Sequence, residues 1–362
     1  MTGTAQDGGA SALGNVIVAP ETRALDELVA QLTPWLQARL PQANDLGIVD
    51  PSYPSGAGQS HETILFDAHW TENGAPVVQG CVVRIKPIRH QIFPDDLFIE
   101  QYRVMEALHR HGVRVAKPLW LEEDAALLGA PFFIMERVQG RVAVSIPPYR
   151  EQGWVAEATP AQRRHLWEEG VRHLASIHTV PLTELQFLAG PEGARDGLKQ
   201  EWDKYVRFVD WVSEDRPWPV LKAALERLRA QWPANQPAGL VWGDSRLGNL
   251  MYDANFDVVA IMDWEQPSLG GALHDLAWWL TMSEQMHGAT AESPHLDGMG
   301  TRAETIALWE ELTGISAQDI EWYEDFTRLK SSCLNVRMSA LKGRPAPDEA
   351  WLAQRLKVTP PA

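Results

Sequence analysis

The sequence predicts an α+β chain in two parts: a smaller amino-terminal part built on an antiparallel sheet with a helix, and a larger, mostly helical part. Three observations carry this. Short apolar runs of strand length crowd the first third, and helix-period apolar stripes fill most of the remainder. A compact β-rich stretch at 238–264 interrupts those helices and carries acidic and amide residues at its strand ends.

Residues 1–20 are rich in Gly, Ala and Thr without a period and read as a mobile tail. From Thr22 a helix is predicted, with Leu25, Leu28, Leu32, Trp35 and Leu36 on one face. The segment 51–58, Pro-Ser-Tyr-Pro-Ser-Gly-Ala-Gly, is rich in turn formers. Strands are predicted around 61–69 and 77–86. A helix follows at 95–111, with Ile99, Tyr102, Met105 and Leu108 in one stripe and His109 and His111 at its solvated end before Gly112. Two more strands, 114–121 and 131–138, are joined by a loop. The polar, Pro-rich segment 139–153 marks a boundary. The predicted organisation is therefore a tail at 1–20, a smaller lobe at 21–137 and a larger lobe at 138–362. In the larger lobe helices are expected near 160–179, 196–213, 217–231, 302–313 and 316–342. The β-rich stretch between them offers Leu240-Val241-Trp242, Leu250-Met251-Tyr252 and Val258 to Met262 as strands. Trp202, Tyr205 and Phe208 recur at helical spacing and read as core.

Composition excludes several classes. A chain of 362 residues that is 45% hydrophobic has ample material for a core. A formal charge of -16 argues against broad nucleic-acid or anionic-membrane binding and suits solubility, while remaining compatible with a cationic substrate. The two cysteines, Cys81 and Cys333, form neither a disulfide framework nor a zinc spacing, which fits a reducing cytoplasm. No apolar run is long enough to span a bilayer, and the amino terminus lacks the pattern of a signal peptide.

The chemistry concentrates in Val241-Trp242-Gly243-Asp244-Ser245-Arg246-Leu247-Gly248-Asn249-Leu250, followed by Val258-Val259-Ala260-Ile261-Met262-Asp263-Trp264-Glu265. Each half pairs a short apolar strand with a polar residue at its end. Phosphoryl transfer needs such a set: one carboxylate to orient and deprotonate a hydroxyl, and hard oxygen ligands to hold magnesium against phosphates. Asp244, Asn249 and Asp263 supply these types, and loops at strand ends can bring them to one cleft. Singly, each would read as a turn residue.

With Leu269-Gly270-Gly271-Ala272-Leu273-His274-Asp275-Leu276-Ala277 added, this wording resembles the aminoglycoside phosphotransferase-like (choline/aminoglycoside kinase) family. It is especially similar to the branch holding bacterial phosphotransferases and the kinase domains associated with acyl-CoA dehydrogenases, some of which phosphorylate hydroxyacyl-CoA substrates. The resemblance covers about residues 25–345. It implies a bilobal protein-kinase-like fold, ATP and Mg2+ as cofactors, and a small-molecule substrate bearing a hydroxyl. Asp244 would be the catalytic base, Asn249 and Asp263 the metal ligands, and Asp275 a support for the catalytic loop. Trp242 stands where many members have His.

In the nucleotide half, Ser55-Gly56-Ala57-Gly58-Gln59-Ser60 resembles the phosphate-covering loop, with Gly56, Gly58 and Ser60 as contacts. Arg84 matches the family's phosphate-holding lysine. Strand alternation puts Lys86 on the same face, and either cation could serve; Arg84 is favoured. Gln101 aligns where the family often has the partnering helix Glu, and Glu100 beside it is named for that role. Phe132 to Val138 resembles the strand leading into the interlobe hinge, with backbone near Glu136 and Val138 for adenine.

Two rivals stand beside an alcohol kinase of this kind: an aminoglycoside-type antibiotic kinase, and a nucleotide-binding pseudokinase without turnover. A CoA thioester would need basic residues near its phosphates, for which Arg246, Arg337, Lys342 and Arg344 are candidates. The aromatic-rich larger lobe suggests an apolar wall for the acceptor.

Overall fold

The computed structural model describes residues 22–54, 61–88, 91–189, 197–288 and 294–359. In chain order it begins with α1 (Leu25–Arg39), β1 (Asn44–Ser52), β2 (Glu62–Glu72), β3 (Ala75–Ile85), α2 (Phe98–Arg110), β4 (Pro118–Glu122), β5 (Phe132–Glu136) and β6 (Arg141–Val142). It continues with α3 (Trp154–Glu157), α4 (Pro160–His178), α5 (Gly197–Val212) and α6 (Pro219–Ala230). After β7 (Leu250–Tyr252) and β8 (Val258–Ile261) come α7 (Leu273–His287), α8 (Arg302–Thr313), α9 (Ile320–Leu341) and α10 (Glu349–Arg355).

The chain divides into two compact units, one of residues 1–91 with 122–137 and the other of 92–121 with 138–362. In the first unit the strands run in the order β1-β2-β3-β5, each pair antiparallel. Strands β2 and β3 pair without a break from Glu62↔Ile85 to Glu72↔Ala75. The turn between them is Asn73-Gly74, both at positive φ (51° and 79°), the conformation that matches the twist of a two-residue hairpin. Alternation buries Ile64, Phe66, Ala68 and Trp70 on one face of β2. Burying each of the larger side chains contributes about 1.5–3 kcal/mol. Helix α1 docks Trp35 against Phe132, ring centroids 4.9 Å apart, and Trp35 Nε1 donates to Glu122 Oε2 at 2.7 Å.

The second unit holds the small antiparallel sheet β6-β7-β8 and the large helices. Trp202, Tyr205 and Phe208 of α5 lie in its core, where Trp202 and Tyr205 meet the Phe326 ring of α9. A buried ionic cluster sits beside them. Lys330 Nζ donates to Glu201 Oε1 at 2.7 Å, Ser268 Oγ donates to Glu201 Oε2 at 2.6 Å, and Lys204 Nζ donates to the Gln266 carbonyl at 3.1 Å. Burial alone would raise the Glu201 carboxyl, but the ammonium groups of Lys204 and Lys330 outweigh it and hold the group well below the usual range.

The structure departs from sequence expectation at several elements. Strand β1 was not expected; it is an edge strand with no clean apolar alternation. Helix α9 starts at Ile320, not near 316, and α10 lies beyond the predicted helices. Leu240-Val241-Trp242 is not a strand: it makes one isolated bridge, Val241↔Ser268, because the next two backbone amides turn to a side-chain carboxylate. The predicted phosphate-covering residues Gly56, Gly58 and Ser60 lie outside the described residues.

Candidate active site

The β7–β8 hairpin sets the geometry. Leu250 pairs with Ile261, so Asn249, just before β7, and Met262 and Asp263, just after β8, emerge at the same end. Met262 N donates to the Asn249 carbonyl at 2.9 Å, which extends the ladder to that end. Asp263 takes φ 66°, the left-handed region in which Asp is tolerated better than most residues. Trp242 Nε1 donates to the Met262 carbonyl at 2.8 Å and so ties the loop before β7 to the turn after β8.

Asp275, fully buried in the first turn of α7, anchors the loop from below. Its carboxylate accepts Trp242 N at 2.6 Å and Gly243 N at 2.9 Å, while its carbonyl accepts Ser245 Oγ at 2.7 Å. Trp309 Nε1, which can only donate, bonds His178 Nδ1 at 3.0 Å. Nδ1 is therefore the acceptor, and Nε2 carries the hydrogen donated to Asp275 Oδ2 at 3.1 Å. Gly243 has φ 101°, and a Cβ there would lie 2.9 Å from the Gln266 backbone oxygen. Glycine is needed at that turn for both reasons.

This frame presents Asp244, whose side chain is about one-third exposed. Its Oδ1 accepts Trp278 Nε1 at 2.8 Å and its Oδ2 accepts Asn249 Nδ2 at 2.7 Å. Arg246 Nε lies 3.2 and 3.0 Å from the two oxygens. Donors on both oxygens fix the carboxylate's plane. Asn249 Nδ2 also donates to the Asp244 carbonyl at 2.9 Å. With its nitrogen committed, Oδ1 is the Asn249 atom available to a cation.

A model of the Phosphotransferase enzyme family matches residues 69–315, more than half of the chain. The chain belongs to this phosphotransferase family. Among curated relatives, acyl-CoA dehydrogenase family member 11 of Pongo abelii is 27% identical over 255 residues, covering 67% of this chain and 31% of that protein. The chain thus spans about a third of the length of that relative. Among solved structures, a provisionally assigned aminoglycoside phosphotransferase of Ralstonia eutropha is 24% identical, with TM-score 0.63 over 91% of this chain and 93% of the other. An ethanolamine kinase of Plasmodium vivax aligns at TM-score 0.57 and 12% identity over 89% and 84% of the two chains. An amicoumacin kinase in complex with AMP-PNP, Ca2+ and its antibiotic aligns at TM-score 0.51 and 15% identity over 92% and 95%. These neighbours give the phosphotransferase a bilobal, protein-kinase-like α+β fold.

Of the predicted site residues, Asp244 and Asn249 are in direct contact, and Asp263 follows the hairpin strand beside them. Arg84 and Glu136 lie in the first unit: Arg84 Nη2 is 3.0 Å from His61 Nδ1, and Glu136 ends β5 opposite Cys81. Glu100, in the first turn of α2, and Val138 belong to the second unit. Among the candidate cations for an anionic acceptor, Arg246 sits on Asp244. Arg337 stacks over Trp211 at 4.2 Å, and Lys342 and Arg344 are exposed. Elsewhere on α9, Lys330 is buried on Glu201, and Arg328 pairs with Asp325.

Sequence reasoning missed Trp278 and Ser145 as partners of the loop. Trp278 lies three residues after Asp275 on one helix, so the two share a face; that spacing was the available signal. Most of the aromatic rings of the larger lobe are buried in its core.

Proposed function

We propose that the chain is an ATP- and magnesium-dependent O-phosphotransferase, moving the γ-phosphate of ATP to a hydroxyl of a small molecule, with a hydroxyacyl-CoA or other metabolic alcohol as favoured acceptor. The observation that carries this reading is Asp244: a part-exposed carboxylate fixed by Trp278, Arg246 and Asn249, next to an amide oxygen and a second carboxylate of the types magnesium prefers. Asp244 takes the proton of the acceptor hydroxyl. The hydroxyl oxygen bonds the γ-phosphorus as the bond to the bridging oxygen breaks, and ADP leaves with that electron pair. Asn249 Oδ1 and the Asp263 carboxylate fit a magnesium ion, which would neutralise phosphate charge when bound.

Two protein ligands suffice, because magnesium keeps water and phosphate oxygens for the rest. Among the described residues no group of three or more His, Cys, Asp or Glu is arranged for a metal. In the nucleotide half, residues 21–137, Arg84 holds the α- and β-phosphates, with Lys86 the other candidate. The family resemblance also offers Glu100 as partner of that cation, Gly56, Gly58 and Ser60 as phosphate contacts, and backbone near Glu136 and Val138 for adenine. Residues 138–362 carry the loop, metal and acceptor sites. The AMP-PNP and Ca2+ of the amicoumacin kinase complex support a nucleotide and a divalent cation here. Similarity to part of an acyl-CoA dehydrogenase family protein supports the acyl side of the acceptor choice. Two buried cysteines support a cytoplasmic setting; among the described residues no helix is long and apolar enough to cross a membrane.

The test is a panel of alcohols, including short hydroxyacyl-CoA thioesters and kanamycin-type amino sugars, incubated with ATP and magnesium and read by mass spectrometry for phosphate esters. The reading expects an ester from the acyl group. Ester from amino sugars alone would overturn the acceptor, and ATP binding without any ester would point to a nucleotide-binding module.

A further inference from the structure

We propose that His61 is a positioning residue of the nucleotide half: its imidazole Nδ1 accepts a hydrogen bond from Arg84 and sets the plane in which that guanidinium meets the phosphates. The assignment rests on the phosphotransferase reading, with Arg84 as its phosphate-holding cation, and deepens it.

The sheet brings the two side chains together. Thr63 of β2 lies directly opposite Arg84 of β3, so both point to one face. His61 stands two residues before Thr63 and is the diagonal neighbour of Arg84 on that face, within reach of a long side chain. Arg84 Nη2 is 3.0 Å from His61 Nδ1. A guanidinium carries only donors, so Nδ1 is the acceptor, and the imidazole is neutral with its hydrogen on Nε2. The chain beside His61 is fixed from the same unit. The buried carboxylate of Glu62 accepts Arg23 Nη2 at 2.8 Å and the Tyr53 hydroxyl at 2.7 Å. His61 is itself buried, where a polar ring needs the bond it makes.

The family resemblance looks for the partner of this cation on α2, where Gln101 stands at the aligned position. An amide cannot supply the negative half of an ion pair. The sheet itself supplies an acceptor, and a neutral one. A carboxylate would orient the guanidinium and also compete with phosphate for its charge. An imidazole fixes the plane of the fork through one N–H and brings no negative charge of its own. Arg suits that arrangement better than Lys, because one bond to a planar fork orients all of its donors, whereas an ammonium turns about its stem.

The test is a double-mutant cycle read as Mg-ATP affinity by titration calorimetry, which needs no acceptor. His61→Ala should weaken Mg-ATP about fivefold, and the same substitution on an Arg84→Gln background should change it by less than about twofold. His61→Asn, which keeps an acceptor oxygen near the place of Nδ1, should recover most of the loss. A cavity left by the ring would neither depend on Arg84 nor follow the acceptor. Glu100→Gln should show no such coupling to Arg84. A measurement on the unaltered protein stands beside the cycle: the imidazole nitrogen NMR spectrum should show His61 with a bare Nδ1 and a hydrogen on Nε2, its signals assigned by their loss in His61→Asn. Equal losses from His61→Ala in both backgrounds, coupling of Arg84 to Glu100 in place of His61, or a hydrogen on Nδ1 would overturn the proposal while Mg-ATP binding stands. An Arg84→Gln variant that binds Mg-ATP like the wild type, with Lys86→Gln impaired, would also overturn it. A wild type that binds no Mg-ATP would remove the phosphotransferase reading, and the proposal with it.

Discussion

At Asp275 a single buried carboxylate accepts two backbone amides and an imidazole. Asp275→Asn substitutes an amide nitrogen for one of the accepting oxygens and points a donor at donors. Breaking a buried charged network of this kind costs about 3 kcal/mol or more. The variant should unfold at lower urea and lose turnover together, because the same bonds hold the backbone that presents Asp244. Wild-type stability would show that the loop is anchored elsewhere. The candidate trio of Asp244, Asn249 and Asp263 was legible in sequence because phosphoryl transfer calls for those residue types at strand ends. Arg246 and Trp278 were not assigned to the base, since an arginine in a loop reads as a surface charge and a tryptophan in an apolar helix reads as packing. Only the fold shows that both aim at one carboxylate.

Helices α4, α7 and α8 meet through one hydrogen-bond chain, from Trp309 through His178 to Asp275. Trp309→Phe keeps an aromatic ring there but removes the donor and leaves His178 Nδ1 buried without its partner. The expected loss is about 1–3 kcal/mol, measured by thermal or urea unfolding; a change under a few tenths would mean the contact is packing alone. Amphipathic elements were legible at this scale: α1, α2, α4, α5 and α6 lie close to where their stripes placed them. Helix α7 has no stripe to read, because every residue from Leu273 to Thr281 is buried. The tight hairpin at Asn73-Gly74 carried a local signal, whereas the exposed strand β1 carried none.

For the molecule as a whole, two buried imidazoles set a pH dependence. Burial, with Lys330 beside it, pulls His274 well below its ordinary value, and burial with His295 lowers His287 to about 3. Unfolded, both titrate near 6.5, so below that pH the unfolded chain binds protons the fold refuses. Stability should therefore fall as pH drops from about 6.5, by about 1.4 kcal/mol per pH unit for each group, and be flat in these terms above it. Urea midpoints between pH 6.5 and 5 should fall less steeply for His287→Gln than for the wild type; equal slopes would remove His287 from the account. The two-part α+β organisation was legible at this scale, since strand-length runs and helix stripes separate along the chain. The buried ionic cluster was not, because Glu201, Lys204 and Lys330 look like surface charges until the fold closes over them. The central claim is that Asp244 serves the acceptor and not the nucleotide. The most direct measurement sets Mg-ATP affinity, by titration calorimetry, beside phosphate-ester formation in wild type and Asp244→Asn. The account predicts turnover lower by about 10²–10⁴-fold, with Mg-ATP affinity within a few-fold of wild type; near-normal turnover in Asp244→Asn would contradict it.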